Sequence, residues 1–117
     1  MTPELTRLAG ELTTVINDVA AAFGVPADPT VEGELDCDPT RPGQLLCWQY
    51  GVRLEHPAEP ERRLAALLPA LHRAGWQSQD RSTPRELITR FTREGADFTV
   101  HVAWAVTIIG STRPVPA

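Results

Sequence analysis

Four acidic residues that alternate along a short stretch of the chain are the side chains best suited to specific recognition. They are Glu32, Glu34, Asp36 and Asp38. Alternate side chains of a β-strand share one face, so the four carboxylates should stand about 7 Å apart on the same side. Like charges at this spacing repel one another, and neutral residues would suit a solvent-exposed strand equally well. We therefore predict that these carboxylates contact a basic surface on a partner protein.

A second interpretation of the same strand is protection against aggregation. Charged side chains on a strand at the edge of a sheet prevent that edge from pairing with another molecule. The two interpretations differ under mutation. Loss of the charges should weaken a partner complex in the first case and cause self-association in the second.

The cysteines and histidines are the other side chains that could bind a metal ion or take part in catalysis. They are Cys37, Cys47, His56, His72 and His101. Their spacing fits no zinc or calcium pattern, and nothing in it supports a cysteine–histidine dyad. The eight glycines are dispersed rather than gathered in a phosphate-binding loop. We predict no metal, no cofactor and no catalytic activity.

A long amphipathic helix over residues 3–23 is the first element of the predicted scaffold. Thr2-Pro3-Glu4 has the composition of a helix start, and apolar residues then recur at the spacing of one helical face. Gly24 and Pro26 end the pattern. Residues 25–30 are predicted to be a connector. We expect this helix to cover a sheet.

The pattern of residues 31–109 predicts the order strand, strand, helix, strand, strand, strand. A first hairpin turns at Pro42-Gly43, and a leucine-rich helix after Pro60 contains Pro69, which predicts a kink. The last three strands are predicted at Trp76–Arg81, Glu86–Arg93 and Asp97–Ile109, before a loose tail over residues 110–117. The expected fold is one α+β domain over residues 1–117, with two helices on one face of an antiparallel sheet.

The register of the first hairpin decides where the cysteines lie. Pairing Cys37 with Trp48 and Leu35 with Tyr50 places apolar residues on one face and carboxylates on the other. This register separates the two thiols onto opposite faces, so we expect them to be reduced. A bulge near Thr40 would instead bring the sulfurs together in a disulfide.

The three tryptophans, Trp48, Trp76 and Trp104, are assigned to core or interface packing. We expect the first helix to lie beside the second and to shield Trp48 and Trp104. Leu12, on the apolar stripe of the first helix, should then be deeply buried.

The net charge of −4 argues against nucleic acid as a partner, because phosphate binding needs a basic surface. Residues 1–60 hold ten acidic residues and three arginines, whereas residues 61–117 hold five acidic residues and eight arginines. No stretch has the length and apolarity of a membrane span, and the first residues lack the features of a signal peptide. The expected location is the cytoplasm.

Several short motifs between residues 48 and 113 carry a family resemblance. They are Tyr50-Gly51-Val52-Arg53-Leu54, Ala74-Gly75-Trp76, Glu94-Gly95-Ala96-Asp97-Phe98-Thr99-Val100 and Ile109-Gly110-Ser111-Thr112. This region is similar to small uncharacterised actinobacterial lipoproteins. The chain has no lipobox cysteine after an apolar signal, and Arg113-Pro114 stands where that family has a terminal Pro-Cys. The resemblance implies an envelope protein and carries no assigned activity.

Two functions from different classes follow from these patterns. The first is a small non-enzymatic intracellular protein-binding domain, of the kind seen in immunity proteins, antitoxins and secretion chaperones, that uses the acidic strand. The alternative is an envelope-type ligand- or lipid-binding domain that lacks its export signal. Oligomeric state is left open.

Overall fold

A computed structural model describes residues 1–117 and contains two helices and seven strands. The helices are α1 (Pro3–Ala21) and α2 (Pro60–Arg73). The strands are β1 (Ala27–Asp36), β2 (Leu45–Leu54), β3 (Gln77–Asp80), β4 (Leu87–Arg93), β5 (Ala96–Val102), β6 (Val106–Ser111) and β7 (Val115–Pro116). All strand pairs are antiparallel, which confirms the predicted α+β fold.

The strands form one open sheet in the order β1-β2-β6-β5-β4-β3, and β7 lies beside β2. β2 pairs with β6, so the β1–β2 hairpin lies next to the β5–β6 hairpin. β1 and β3 are the edges. Both helices pack on one face, where Val52, Phe98 and Ile108 are buried. The opposite face, which we call the outer face, carries no helix.

α1 forms where its cap and its apolar stripe predict a helix. The Thr2 hydroxyl accepts a hydrogen bond from the Leu5 backbone N–H at 3.1 Å, which satisfies one of the free donors at the helix start. The buried residues of α1 are Leu5, Ala9, Leu12, Ile16, Val19 and Ala20. The helix ends at Ala21, slightly before the predicted end, and contacts mainly β2 and β6.

The strand boundaries differ from the prediction at three places. β1 begins at Ala27, inside the predicted connector 25–30. The predicted strand 97–109 is a hairpin, because Ala103–Ala105 form a loop between β5 and β6. The C-terminal segment is held rather than loose. β6 extends to Ser111, and Val115 is fully buried where β7 pairs with β2.

The first hairpin has a register different from the predicted one. Glu34 lies opposite Trp48, and Leu35 lies opposite Cys47. The pairing of Leu35 with Tyr50 was therefore wrong. A strand has a side-chain period of two, so an error in register by an odd number of residues places every side chain on the wrong face.

The loop between β1 and β2 explains that error. The predicted turn at Pro42-Gly43 is present: Gly43 has φ +80°, and the Gln44 N–H donates to the Arg41 carbonyl at 3.2 Å. A second turn precedes it and is closed by the Arg41 N–H, which donates to the Asp38 carbonyl at 3.0 Å. The two successive turns lengthen the loop and shift the pairing.

The three tryptophans occupy different environments. Trp76 is buried, Trp48 is half-buried, and Trp104 is 77% exposed at the tip of the β5–β6 hairpin. The expectation that Trp104 lies in the core under α1 was wrong. Its three-residue loop carries it beyond the end of the sheet. α2 continues through Pro69, which lies on an exposed side of the helix.

Candidate functional site

The predicted acidic residues lie on β1, at the edge of the sheet. Glu32, Glu34 and Asp36 are exposed, and Asp38 is half-buried in the following loop. Contrary to prediction, Glu32, Glu34 and Asp36 are on the same face as Trp48. These three remain in water because α1 lies over β2 and β6 and makes few contacts with β1.

Two of these four carboxylates hold the hairpin loop together. Asp36 Oδ2 accepts a hydrogen bond from the Gly43 N–H at 2.9 Å. Asp38 Oδ1 accepts from the backbone N–H of Thr40 at 3.0 Å and from its hydroxyl at 2.6 Å, a local arrangement typical of aspartate in turns. Glu32 and Glu34 belong to none of the ion pairs. The acidic strand thus combines two loop-stabilising aspartates with two glutamates that face solvent.

The two cysteines form a disulfide, with their Cα atoms 5.9 Å apart. The expectation of reduced thiols was wrong. Because Leu35 faces Cys47 and alternate residues share a face, Cys37 lies diagonally across from Cys47 on the outer face. No bulge near Thr40 is involved, since the irregularity in this strand pair lies between Pro29 and Val31.

The three histidines lie apart from one another. The ring of His56 packs edge-to-face against Trp104, with centroids 5.2 Å apart. His72 lies in the last turn of α2. His101 Nε2 lies 3.0 Å from a carboxylate oxygen of Glu86. No group of three or more histidine, cysteine, aspartate or glutamate side chains is arranged to hold a metal ion.

The largest depression is a polar cleft of about 690 Å³ between α1 and the β4–β5 turn. Its cations are already engaged. Arg7 pairs with Glu11 at 3.0 Å, and Arg113 pairs with Glu4. Arg93 lies 4.5 Å over the Trp76 ring and donates to the carbonyl of Ala74. These contacts hold neighbouring segments of the chain together. Each arginine in the lining of the cleft already has a partner.

A second depression, of about 430 Å³, lies between α2 and the strands β3 and β4, and we call it the α2 groove. Its lining residues are Glu61, Leu64, Ala65, Leu68, Ser78, Asp80, Leu87 and Thr89. The strand nearest to α2 is β3, whose four residues are all exposed. Leu64 and Leu71 are buried in the core, but this short polar strand leaves Leu68 half-buried at the groove.

The charged groups of the α2 groove lie at one end, and a histidine–serine contact lies at the other. Both charged residues in its lining, Glu61 and Asp80, are acidic. Hydrogen bonds from the Ser82 hydroxyl and backbone N–H hold the pKa of Asp80 below its usual range, so this carboxylate is charged at neutral pH. At the other end, the His72 ring lies 2.9 Å from the Ser78 hydroxyl and joins α2 to β3.

Sequence reasoning did not find the α2 groove. It predicted a leucine-rich helix on one face of the sheet and no depression beside it, yet Leu68 is only half-buried. A usable signal was present in Gln77-Ser78-Gln79-Asp80, which has no apolar residue to cover that helix. A leucine stripe followed by an entirely polar strand indicates an incompletely covered helix.

No protein-family model and no curated protein matches the chain. Among solved structures, the chain is similar to the crystal structure of "the putative lipoprotein LppA from Mycobacterium tuberculosis", with a TM-score of 0.59 and 11% sequence identity. The match covers 97% of this chain and 76% of the other. The sequence resemblance covered only about residues 48–113, whereas the structural similarity includes α1 and β1. No helix of this chain has the length and hydropathy needed to cross a bilayer. The comparison shows that the chain has an LppA-like fold.

Proposed function

We propose that this chain is a non-catalytic, ligand-binding domain of the cell envelope. The disulfide between Cys37 and Cys47 carries the proposal, because such bonds persist outside the cytoplasm and are rare within it. The LppA-like fold supports the same compartment. The envelope function is thus preferred over the intracellular protein-binding function.

The shape of the helix layer supports a binding role. α1 covers β2 and β6, whereas α2 leaves a groove of about 430 Å³ with leucine side chains in its wall. Concave, mostly apolar sites with a few polar groups are the usual form of small-molecule sites. The polar cleft beside α1 is less suitable, because its arginines already have partners.

The compartment is tested by the redox state of the cysteines in cells of the source organism. Cells are quenched with acid, and the denatured protein is treated with a maleimide-polyethylene glycol reagent. We expect no modification unless a reductant is added first, and a variant with Cys37→Ser should react at Cys47 as the matched control. Modification of both cysteines in unreduced samples would place the protein in a reducing compartment and overturn the proposal.

A second candidate function is contact with a basic protein through the acidic strand. The observation that favours it is the exposure of Glu32 and Glu34 on the edge strand without any ion pair. Asp36 and Asp38 contribute charge but also hold the loop. Unpaired carboxylates at a sheet edge suit both partner contact and protection of that edge.

The variant Glu32→Gln/Glu34→Gln separates these two roles, because it leaves the loop intact. If the strand binds a basic partner, affinity for proteins captured from the source organism should fall and depend less on salt. Glu94→Gln is the control, because Glu94 is also exposed and belongs to no ion pair. Unchanged affinity together with new self-association would assign these residues to edge protection alone.

A further inference from the structure

The α2 groove combines an apolar wall with charged residues that are all acidic. Leu64, Leu68 and Leu87 line it, and α2 provides one side while β3 and β4 provide the other. A ligand that occupied it would remove the half-buried Leu68 and Leu87 from water, which is favourable in proportion to the apolar area covered.

The position of the two carboxylates determines how a bound ligand would be oriented in the groove. Glu61 lies in the first turn of α2, and Asp80 is the last residue of β3. The turn that joins these two elements, Ala74–Trp76, lies at the opposite end. Both carboxylates are therefore at the end of the groove remote from that turn, while the His72–Ser78 contact lies near it.

A neighbouring depression of about 320 Å³ continues the groove past Glu61 and Leu87 towards the β5–β6 hairpin. Pro60, Pro84 and Ala103 add apolar surface there, and Arg85 is its single arginine. The two depressions share Glu61 and Leu87, so a ligand longer than the groove has a path that leads past the carboxylates.

We infer that the α2 groove binds a cationic amphiphile, with the apolar chain against the leucines and the positively charged group beside Glu61 and Asp80. The inference rests on the proposed ligand-binding function and specifies the chemical class of the ligand. Its basis is both apolar and electrostatic complementarity. The leucines offer an apolar surface, and the only charges in the lining are negative.

The direct test measures binding of decyltrimethylammonium, decyl sulfate and decyl maltoside by isothermal titration calorimetry below their critical micelle concentrations. These probes share one chain and differ in head-group charge. We expect the cationic probe to bind about tenfold more tightly than the anionic one. Equal or tighter binding of decyl sulfate would overturn the assignment of a cation, and binding of none of the probes would overturn the site.

The variant Ala65→Trp locates the binding site, because Ala65 lines the groove and is exposed, so that a larger side chain fills the groove without entering the core. It should abolish binding of decyltrimethylammonium. Ala66→Trp is the matched control, since Ala66 is also exposed on α2 but does not line the groove. Urea unfolding verifies that both variants are folded. Undiminished binding by Ala65→Trp would show that the probe binds elsewhere.

The double variant Glu61→Gln/Asp80→Asn should remove most of the preference for the cationic probe while retaining binding of decyl maltoside. Sedimentation velocity tests the main competing occupant. A wild-type dimer that Ala65→Trp dissociates would show that a second copy of the chain fills the groove and would overturn the inference. Each of these results is independent of the redox state of the cysteines in cells, so the ligand and the compartment are tested separately.

Discussion

The two helices have similar amphipathic sequences but cover the sheet to very different extents. α1 buries six residues and lies mainly over β2 and β6. α2 buries only Leu64 and Leu71, and the strand nearest to it is the polar edge strand β3. The difference lies in the strands beneath the helices, since both helices carry an apolar stripe.

This comparison shows that one sheet is covered unequally by its two helices. The half under α1 is closed, whereas the half under α2 leaves apolar surface accessible. The second half is therefore the one that we propose as the binding site. The following variants test whether the two halves differ in this way.

The largest expected effect is from an unpaired charge under α1. Leu12 is 3% exposed, so Leu12→Asp should lower the free energy of unfolding by about 4 kcal/mol. Leu68→Asp, in the half-buried wall of the groove, should cost about 1 kcal/mol. Urea unfolding measures both values. Equal losses would contradict the proposed difference between the two halves.

Removal of the disulfide should have the next largest effect. Cys37→Ser/Cys47→Ser releases a closed loop in the β1–β2 hairpin, and the expected loss is about 2 to 3 kcal/mol from the larger entropy of the unfolded chain. Wild-type protein unfolded in the presence of a reductant should show the same loss. An unchanged unfolding midpoint under both conditions would show that the hairpin does not need the bond.

A smaller effect is expected at the polar contact between α1 and β2. The Tyr50 hydroxyl donates to Asn17 Oδ1 at 2.8 Å, so Tyr50→Phe should cost about 1 kcal/mol. A double-mutant cycle with Asn17→Ala separates the hydrogen bond from other effects of either substitution. Additive losses would mean that the pair contributes nothing to holding α1 on the sheet.

The smallest effect is expected from exposed helix positions, where a substitution changes helix propensity but not the packing of the helix on the sheet. A Cβ added at Gly10, in the exposed middle of α1, would meet no atom within 4 Å. Gly10→Ala should therefore raise stability by roughly 0.5 to 1 kcal/mol. Ala66→Gly, on exposed α2, should lower it by a similar amount. Melting temperatures from circular dichroism report both changes.

α1 was predictable from sequence because each of its signals is local. Thr2 caps its start, and its apolar residues are repeated at helical spacing over the whole length. The β5–β6 hairpin was missed for an equally physical reason. Val102 pairs with Val106 across a loop of three residues, so alternate residues before and after the turn face the same side. The pattern through Trp104 is therefore unbroken, although the chain reverses direction there.

The candidate sites depend on placements that periodicity does not specify. Exposure of Glu32 and Glu34 follows from how far α1 reaches over the sheet, and the position of Cys37 opposite the β2 strand follows from two successive turns. The α2 groove requires knowledge of which strand lies under Leu68. Local patterns predict elements, whereas these sites arise from the contacts between distant elements.

The pairing of β2 with β6 also determines when the chain can fold. Residues 49–54 of β2 pair with residues 106–111, so the β1–β2 hairpin joins the rest of the sheet only after nearly the whole chain is available. Closing such a long loop has a high entropic cost before its contacts are formed, and proteins dominated by distant pairings fold slowly. Until then the β1–β2 hairpin lacks its β6 neighbour, and α1 lacks one of the two strands that it mainly contacts. During synthesis, the amino-terminal half therefore remains without its β6 partner until the last strands are available.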